Sequence, residues 1–266
     1  MAKFGNYTLI EVDLADDHVA TVEMQNGELN FFDLEMLTSL ANCFDDLDKE
    51  PKCRSIVLAS AGRAFCAGAN FASGARAEGL ATKTASPSGS PLYDQAVRLF
   101  TNKKPIVGAV NGAAIGGGLG LCLVPDFRVA CPEARFAANF TQLGFHPGFG
   151  LTHTLVALVG QQKAWHMMFT GRRVKADEAL EMGMIDRLVP AAQVRHAARE
   201  MALELASAAP LGVMAVRETV RIGLADRVRA ATARELQEQN KLQGTEDMKE
   251  GIRATAERRP AKFVGR

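Results

Sequence analysis

Two short segments, Gly62-Arg-Ala-Phe-Cys-Ala-Gly-Ala-Asn-Phe71 and Asn111-Gly-Ala-Ala-Ile-Gly-Gly-Gly-Leu-Gly120, carry the pattern best suited to chemistry in this chain. Each follows a short apolar run, Ser55–Ala59 and Ile106–Val110, of the kind that forms a buried strand. Both are dense in Gly and Ala. Glycine removes the Cβ barrier, opens unusual backbone angles and lets a ligand approach the main chain. Two such turns could aim two backbone N–H groups at one point. That arrangement is an oxyanion hole, which stabilises negative charge developing on a carbonyl oxygen. Taken alone, Gly116-Gly-Gly-Leu-Gly120 reads as a tight packing turn. No Gly-Lys-Ser/Thr follows it, position 121 is Leu where a dinucleotide fingerprint needs Gly, and the chain has no G-x-S-x-G nucleophile elbow.

The elements that must position the turns read as α/β. Residues 7–12 and 18–24 fit strands around Asp16-Asp17, the second with Ala20, Val22 and Met24 on one face. Leu34, Leu37, Leu40, Ala41, Phe44 and Leu47 recur at helical spacing, with Asp33 placed to cap the helix start. Repeated strand–turn–helix units then imply a layered α/β core. Residues 72–91 are small, polar and rich in breakers, and read either as a lid after the first turn or as plain surface loop. Beyond residue 150 the pattern turns helical. Gly171 and Gly183 suit C-caps of Gln161–Thr170 and Ala176–Met182, and Ile185–Val189 reads as a last strand. Helices are predicted over 191–207, 211–223 and 226–257, with Pro210 at a helix start. That tail suits docking on a second subunit or folding back on its own core.

The 266 residues fit one large domain, or one domain with a helical appendage, and can bury a core without staples. With 31 basic and 30 acidic residues the net charge of +1 gives no general case for nucleic acid or an acidic membrane as partner. Five cysteines, an odd number with no C-x-x-C, support neither a disulfide framework nor a zinc ribbon; no metal is expected. The N-terminus is too polar for a signal peptide, and no run reaches the ~18 apolar residues of a membrane helix. A cytoplasmic protein is the expectation.

The pairing and order of the motifs resemble the crotonase, or enoyl-CoA hydratase/isomerase, superfamily. Arg63 to Phe71 is similar to its first turn, and Ala109 to Gly118 to its second. Pro125-Asp-Phe-Arg-Val-Ala130, Leu143-Gly-Phe-His-Pro-Gly148, Leu158-Val-Gly160 and the stretch from Thr170 to Asp186 follow in family order. The resemblance covers roughly residues 5–266. It implies a spiral of repeated ββα units over 1–200 holding an acyl-CoA site, and a C-terminal helical region, 201–266, that makes trimers or dimers of trimers. It implies no cofactor other than the coenzyme A of the substrate. It further implies that the N–H groups of Ala69 and Gly117 hold a thioester carbonyl, with Gly117 opening a helix whose positive end faces the enolate oxygen. Substrate contacts would come from Ala67, Gly68, Phe71, Gly116 and Phe140. Arg63 would approach the CoA phosphates, unless it is only a solvated turn residue. Lys262, from a neighbouring subunit, is a further candidate.

The departures concern proton transfer. Hydratases of the family carry two glutamates, at positions that align here with Gly120 and Phe140; isomerases often carry an acid where this chain has Gly148. Hydration needs a base to activate water and an acid to protonate Cα, each worth roughly 10²–10⁴ in rate. His146 is the replacement candidate, since imidazole titrates near neutral pH; its other reading is a histidine bonded to the loop backbone. Asn139 could orient a water or simply shape a turn. Tyr93 and Asp94 could lend a polar group from the helix after the loop. His153 and His166 read as satisfied helix residues. Three functions remain open: an enolate-stabilising acyl-CoA enzyme that is a poor hydratase, a non-catalytic acyl-CoA binding protein, and a C–C hydrolase acting on a non-CoA diketone.

Overall fold

A computed structural model describes residues 2–69 and 89–266. In chain order its strands are β1 (Ala2–Lys3), β2 (Ile10–Leu14), β3 (Val19–Met24), β4 (Ser55–Ser60), β5 (Ile106–Val110), β6 (Ala114–Ile115), β7 (Phe127–Ala130), β8 (Arg135–Ala137), β9 (Arg173–Lys175) and β10 (Arg187–Leu188). Its helices are α1 (Leu34–Lys49), α2 (Pro91–Leu99), α3 (Gly117–Cys122), α4 (Leu151–Val159), α5 (Gln161–Thr170), α6 (Ala176–Glu181), α7 (Val194–Ser207), α8 (Pro210–Val220), α9 (Leu224–Leu242) and α10 (Glu246–Ala256).

Strands β4 and β5 are apolar along their length because both faces are covered; every residue of each is buried. They lie at the centre of a seven-stranded sheet of order β1-β2-β3-β4-β5-β7-β10. Strands β1, β2 and β3 pair antiparallel, and the pairs from β3 to β10 are parallel. A second sheet, β6-β8-β9, stands beside it. Parallel pairing requires long crossovers, and here each crossover that leaves β4 or β5 begins with a glycine-rich turn. Helix α7 packs on β4 and β5 from one side. Helix α1 buries Leu37, Leu40, Phe44 and Leu47, and Asp33 caps its start by accepting from the Met36 N–H at 2.8 Å.

Two expectations are corrected. The helix predicted over 226–257 is two helices, because Gly244 adopts φ +92° and Thr245 caps the next start by accepting from the Met248 N–H at 3.1 Å. The strand expected at Ile185–Val189 shrinks to Arg187–Leu188, which pairs only with β7 at the sheet edge. The loop expected at 72–91 lies largely outside the described residues. No helix among the described residues is long and apolar enough to cross a membrane.

Candidate active site

The two glycine turns meet. The Cys66 N–H donates to the Ala113 carbonyl at 3.1 Å, and the Ile115 N–H donates to the Cys66 carbonyl at 3.0 Å. Cys66 and Ala114 thereby form a parallel bridge between the turns. The fit leaves no room for side chains: a Cβ on Gly118 would lie 2.1 Å from the Cys66 carbonyl oxygen. Gly68 holds φ +87° and Gly116 φ +59°, conformations that glycine reaches without strain. The turn at Gly116 ends in α3, so Gly117 is its first residue.

Ala69 and Gly117 line one narrow cavity of about 20 Å³, room for about one water. No backbone carbonyl of the described residues accepts from the N–H of either. Gly117 opens α3, where the first N–H groups have no acceptor within the helix. Two amide donors with no backbone acceptor among the described residues, bordering one cavity, form a ready receptor for a carbonyl oxygen gaining charge.

The rest of the wall is mainly apolar: Phe32, Leu92, Phe140, Phe145 and Phe149. Phe149 explains the glycine at 120. A Cβ there would lie 2.6–2.8 Å from Cβ, Cγ and Cδ1 of the Phe149 side chain. Phe149 is itself buried against Phe32, with ring centroids 5.4 Å apart, and holds a left-handed backbone at φ +63°. A bulky residue pays strain in that conformation. The aromatic ring thus stands in the volume a side chain at 120 would need.

One polar pair interrupts the apolar wall. The start of α2 is set by Pro91 at its first position and by Ser90, whose hydroxyl accepts from the Tyr93 N–H at 3.4 Å. This directs the buried Tyr93 phenol beneath Gly148, where a Cβ would lie 2.3 Å from its Oη and 2.6 Å from Nε2 of Gln239. Tyr93 Oη and Gln239 Oε1 are 2.9 Å apart. Gln239 Nε2 donates to the His146 and Pro147 carbonyls, each at 3.2 Å. One helical turn earlier on α9, the buried Glu235 accepts from the N–H groups of Gly150 and Thr152, at 2.8 and 2.9 Å, and from the Thr152 hydroxyl at 2.7 Å. The start of α4 is therefore capped from α9. Burial, with the Glu235 charge behind it, pushes the Tyr93 hydroxyl far above its ordinary pKa and keeps it protonated.

Of the residues singled out in the sequence, Ala69, Tyr93, Gly117, Phe140 and Gly148 line this cavity. Gly68 and Gly116 shape its turns, and the Ala67 N–H is tied to the Leu29 carbonyl at 3.0 Å. The Gly120 and Gly148 positions are closed by Phe149 and by Tyr93 with Gln239. His146 is half-buried and outside the cavity wall; its Nδ1–H donates to the Pro147 carbonyl at 2.8 Å. That contact follows the second of its two readings. Arg63 pairs with Glu28 at 3.4 Å on the surface. The Lys262 N–H donates to Glu250 at 2.9 Å, and Lys262 borders a separate charged pocket with Arg253 and Arg259. Asn139 lies in the 3-10 turn at 139–143, His153 is on α4, and His166 is exposed on α5. Phe71 lies outside the described residues. Phe149, Gln239 and Glu235 were not anticipated. The only signal for Phe149 is an aromatic between two glycines; Gln239 and Glu235 look like ordinary surface-helix residues in the sequence.

The family model described as enoyl-CoA hydratase/isomerase matches residues 15–266. The chain belongs to the enoyl-CoA hydratase/isomerase family. Among relatives, the short-chain-enoyl-CoA hydratase of Clostridium acetobutylicum is 30% identical over 232 residues, 87% of this chain and 88% of that protein. The (E)-benzylidenesuccinyl-CoA hydratase of Thauera aromatica is 31% identical over 251 residues, 94% of this chain and 96% of its own. Among solved structures, an enoyl-CoA hydratase/isomerase from Pseudoalteromonas atlantica T6c superposes with a TM-score of 0.84 at 27% identity, covering 97% of this chain and 100% of that one. The α/β architecture with its C-terminal helices is the crotonase fold of this family.

Proposed function

We propose that this family member binds an acyl-CoA thioester, holds its carbonyl oxygen between the Ala69 and Gly117 N–H groups, and stabilises the enolate, without being an efficient hydratase. The observation that carries the reading is that two N–H groups, from which no backbone carbonyl of the described residues accepts, border one mainly apolar cavity; the resemblance sets the family's glutamate positions at Gly120, closed by Phe149, and at Phe140. The charge on the oxygen grows as the enolate forms, so donors placed for it favour the transition state over the bound ester. The Tyr93 hydroxyl on the same wall favours an enzyme over a passive binder, because it brings a proton within the site. Arg63 and Lys262 are proposed as CoA-phosphate contacts.

The test is direct. With crotonyl-CoA, turnover should fall at least ~10²-fold below that of a family hydratase carrying both glutamates, since acid and base each contribute about 10²–10⁴. Acetoacetyl-CoA, whose enolate resembles the stabilised state, should bind in isothermal titration. Rapid crotonyl-CoA hydration would overturn the poor-hydratase reading; no binding of any CoA ester would overturn the acyl-CoA reading itself and favour a diketone substrate.

Self-association as a trimer or dimer of trimers is part of the same proposal. Leu211, Val220 and Ile222, on or just after α8, are 81%, 73% and 76% exposed in the single chain. Large apolar side chains left this exposed are available for a subunit contact. Replacing Leu211 and Ile222 together by Asp should lower the mass measured by light scattering towards that of one chain. An unchanged mass would place the subunit contact elsewhere.

A further inference from the structure

We propose that Asn111, with Ser60 behind it, sets the register of the two glycine turns and so keeps the Ala69 and Gly117 N–H groups trained on one point. Asn111 is a positioning residue in this role, and the inference rests on the thioester reading above.

The turns run side by side. At their far end a Cβ on Gly68 would lie 2.7 Å from the Ile115 carbonyl oxygen and 3.5 Å from the Gly117 nitrogen. Midway, Cys66 bonds to Ala113 and Ile115 through main-chain groups. At the entry a Cβ on Gly112 would lie 2.1 Å from the Arg63 carbonyl oxygen. Glycine lets the two backbones approach this closely, but it also has the most conformational freedom to lose. A side chain supplies the fixed point at the entry. Asn111 directly follows β5, and its Nδ2 donates at 2.7 Å to the carbonyl of Gly62, where the first turn begins.

The partners fix the direction of each bond. The Gly62 carbonyl can only accept, so the amide nitrogen faces it and Oδ1 faces Ser60 Oγ at 2.7 Å. Ser60 has one hydroxyl proton to give. The Ala64 carbonyl is the farther acceptor, at 3.0 Å, and already receives Nδ2 of the buried Asn30 at 3.3 Å. The Ser60 proton therefore goes to Asn111. Ser60 is the last residue of β4, 1% exposed, and β4 pairs with β5. The sheet thus holds the amide, and the amide holds the first turn. On its other flank that turn is tied to residues 28–32: the Ala64 and Ala67 N–H groups donate to the Glu28 and Leu29 carbonyls at 3.2 and 3.0 Å, and the Gly68 carbonyl accepts from the Phe32 N–H at 3.0 Å. Loss of the Asn111 bond would let the second turn drift against a first turn that stays braced.

Such drift acts on the charged state. Groups that stabilise developing charge must keep their places within about 0.5 Å, and loss of one oxyanion donor costs about 10²–10³ in rate. A neutral ester carbonyl, which draws less on the same donors, is held nearly as well by a relaxed pair.

The experiment titrates acetoacetyl-CoA on the full chain from neutral to alkaline pH and reads the bound enolate by its ultraviolet absorbance. The unaltered chain should hold a larger enolate-to-ketone ratio than the free ester has at the same pH. Asn111→Leu should cut that ratio about tenfold or more, while the Kd for acetyl-CoA, measured as a neutral ester, changes little. Asn111→Asp keeps the acceptor for Ser60 but sets an oxygen against the Gly62 carbonyl, so it should lose the ratio at least as fully. Ser60→Ala keeps the bond to Gly62 and should lose less. A merely structural role would lower the melting temperature and leave the ratio of the folded protein unmoved. An undiminished ratio in Asn111→Leu, or in Ser60→Ala where the first variant does not fold, overturns this inference and leaves the thioester reading standing. A full ratio in Asn111→Asp overturns it equally, since the bond to Gly62 would then carry nothing. Failure of the unaltered chain to bind acetoacetyl-CoA overturns the thioester reading itself, and this inference with it.

Discussion

Gly120→Glu, which places a carboxylate where the resemblance to the family's hydratases expects one, should cripple the fold and yield no hydratase. The new Cβ alone would lie 2.6 Å from Cβ of Phe149, before any carboxylate is placed. Phe149 has little freedom to move aside, because it is 1% exposed, packed on Phe32, and set on a left-handed backbone. Overpacking a dense core costs about 1–3 kcal/mol, and a buried carboxylate without partners adds to that. A loss of about 3 kcal/mol or more should lower the melting temperature by roughly 10 °C, or abolish soluble expression. Combining it with Phe149→Gly should recover much of the loss, since glycine accepts φ near +63° and vacates the volume. Calorimetry on both variants decides the matter. A single Gly120→Glu variant that melts like the unaltered chain would show that the ring swings away and leaves room for a carboxylate.

Asp126→Ala is the second large effect, and it lies away from the cavity. Asp126 accepts from the Ile106 N–H at 2.8 Å, from Arg217 Nε at 2.8 Å and from Arg221 Nη1 at 2.6 Å. It joins the entry of β5 to α8 and to the segment after it. Arg217 is only 7% exposed, and its Nη1 also donates to the Asn102 carbonyl. Removing the carboxylate leaves buried guanidinium charge without its partner, a loss of about 3–5 kcal/mol. Burial alone would raise the Asp126 pKa; the charges of Arg217 and Arg221 and the hydrogen bonds outweigh it, so the folded value is below the ordinary one. The sign follows. The stabilisation is complete above the unfolded value of about 3.9 and is lost as pH falls through the lower folded value. Urea midpoints of the unaltered chain and of Asp126→Asn should therefore differ by a constant amount above about pH 5 and converge as pH drops below about 4. A gap that persists undiminished into strong acid would show that charge pairing is not its source.

The sequence made the two turns legible because their constraint is written in composition. Only glycine fits where Gly118 meets the Cys66 carbonyl, so a run of glycines marks the contact from either side. The same holds for α1, whose apolar spacing and Asp33 cap are local signals. Gln239 could not be found that way. Its partner Tyr93 stands 146 residues earlier, and nothing near Gln239 separates it from other polar residues of a charged helix. Phe149 was hidden for a related reason, since its meaning depends on a glycine at position 120. His146 drew notice for its ionisable ring, yet the ring turns back to the Pro147 carbonyl, a preference fixed by a loop conformation that the residue types do not encode. The break at Gly244 was visible as a glycine but was outvoted by the helix-forming residues on either side.

Glu235 and Gln239 sit four positions apart on α9, on one face, and both grip the segment that ends at α4. Each residue of an α-helix turns by about 100°. Inserting a single residue into α9 ahead of position 235 would swing both anchors off that segment together, freeing Tyr93 from its amide and α4 from its cap at once. Length changes during divergence should therefore collect elsewhere, at junctions such as Gln243–Thr245, while α9 keeps its residue count even as its outward side chains drift.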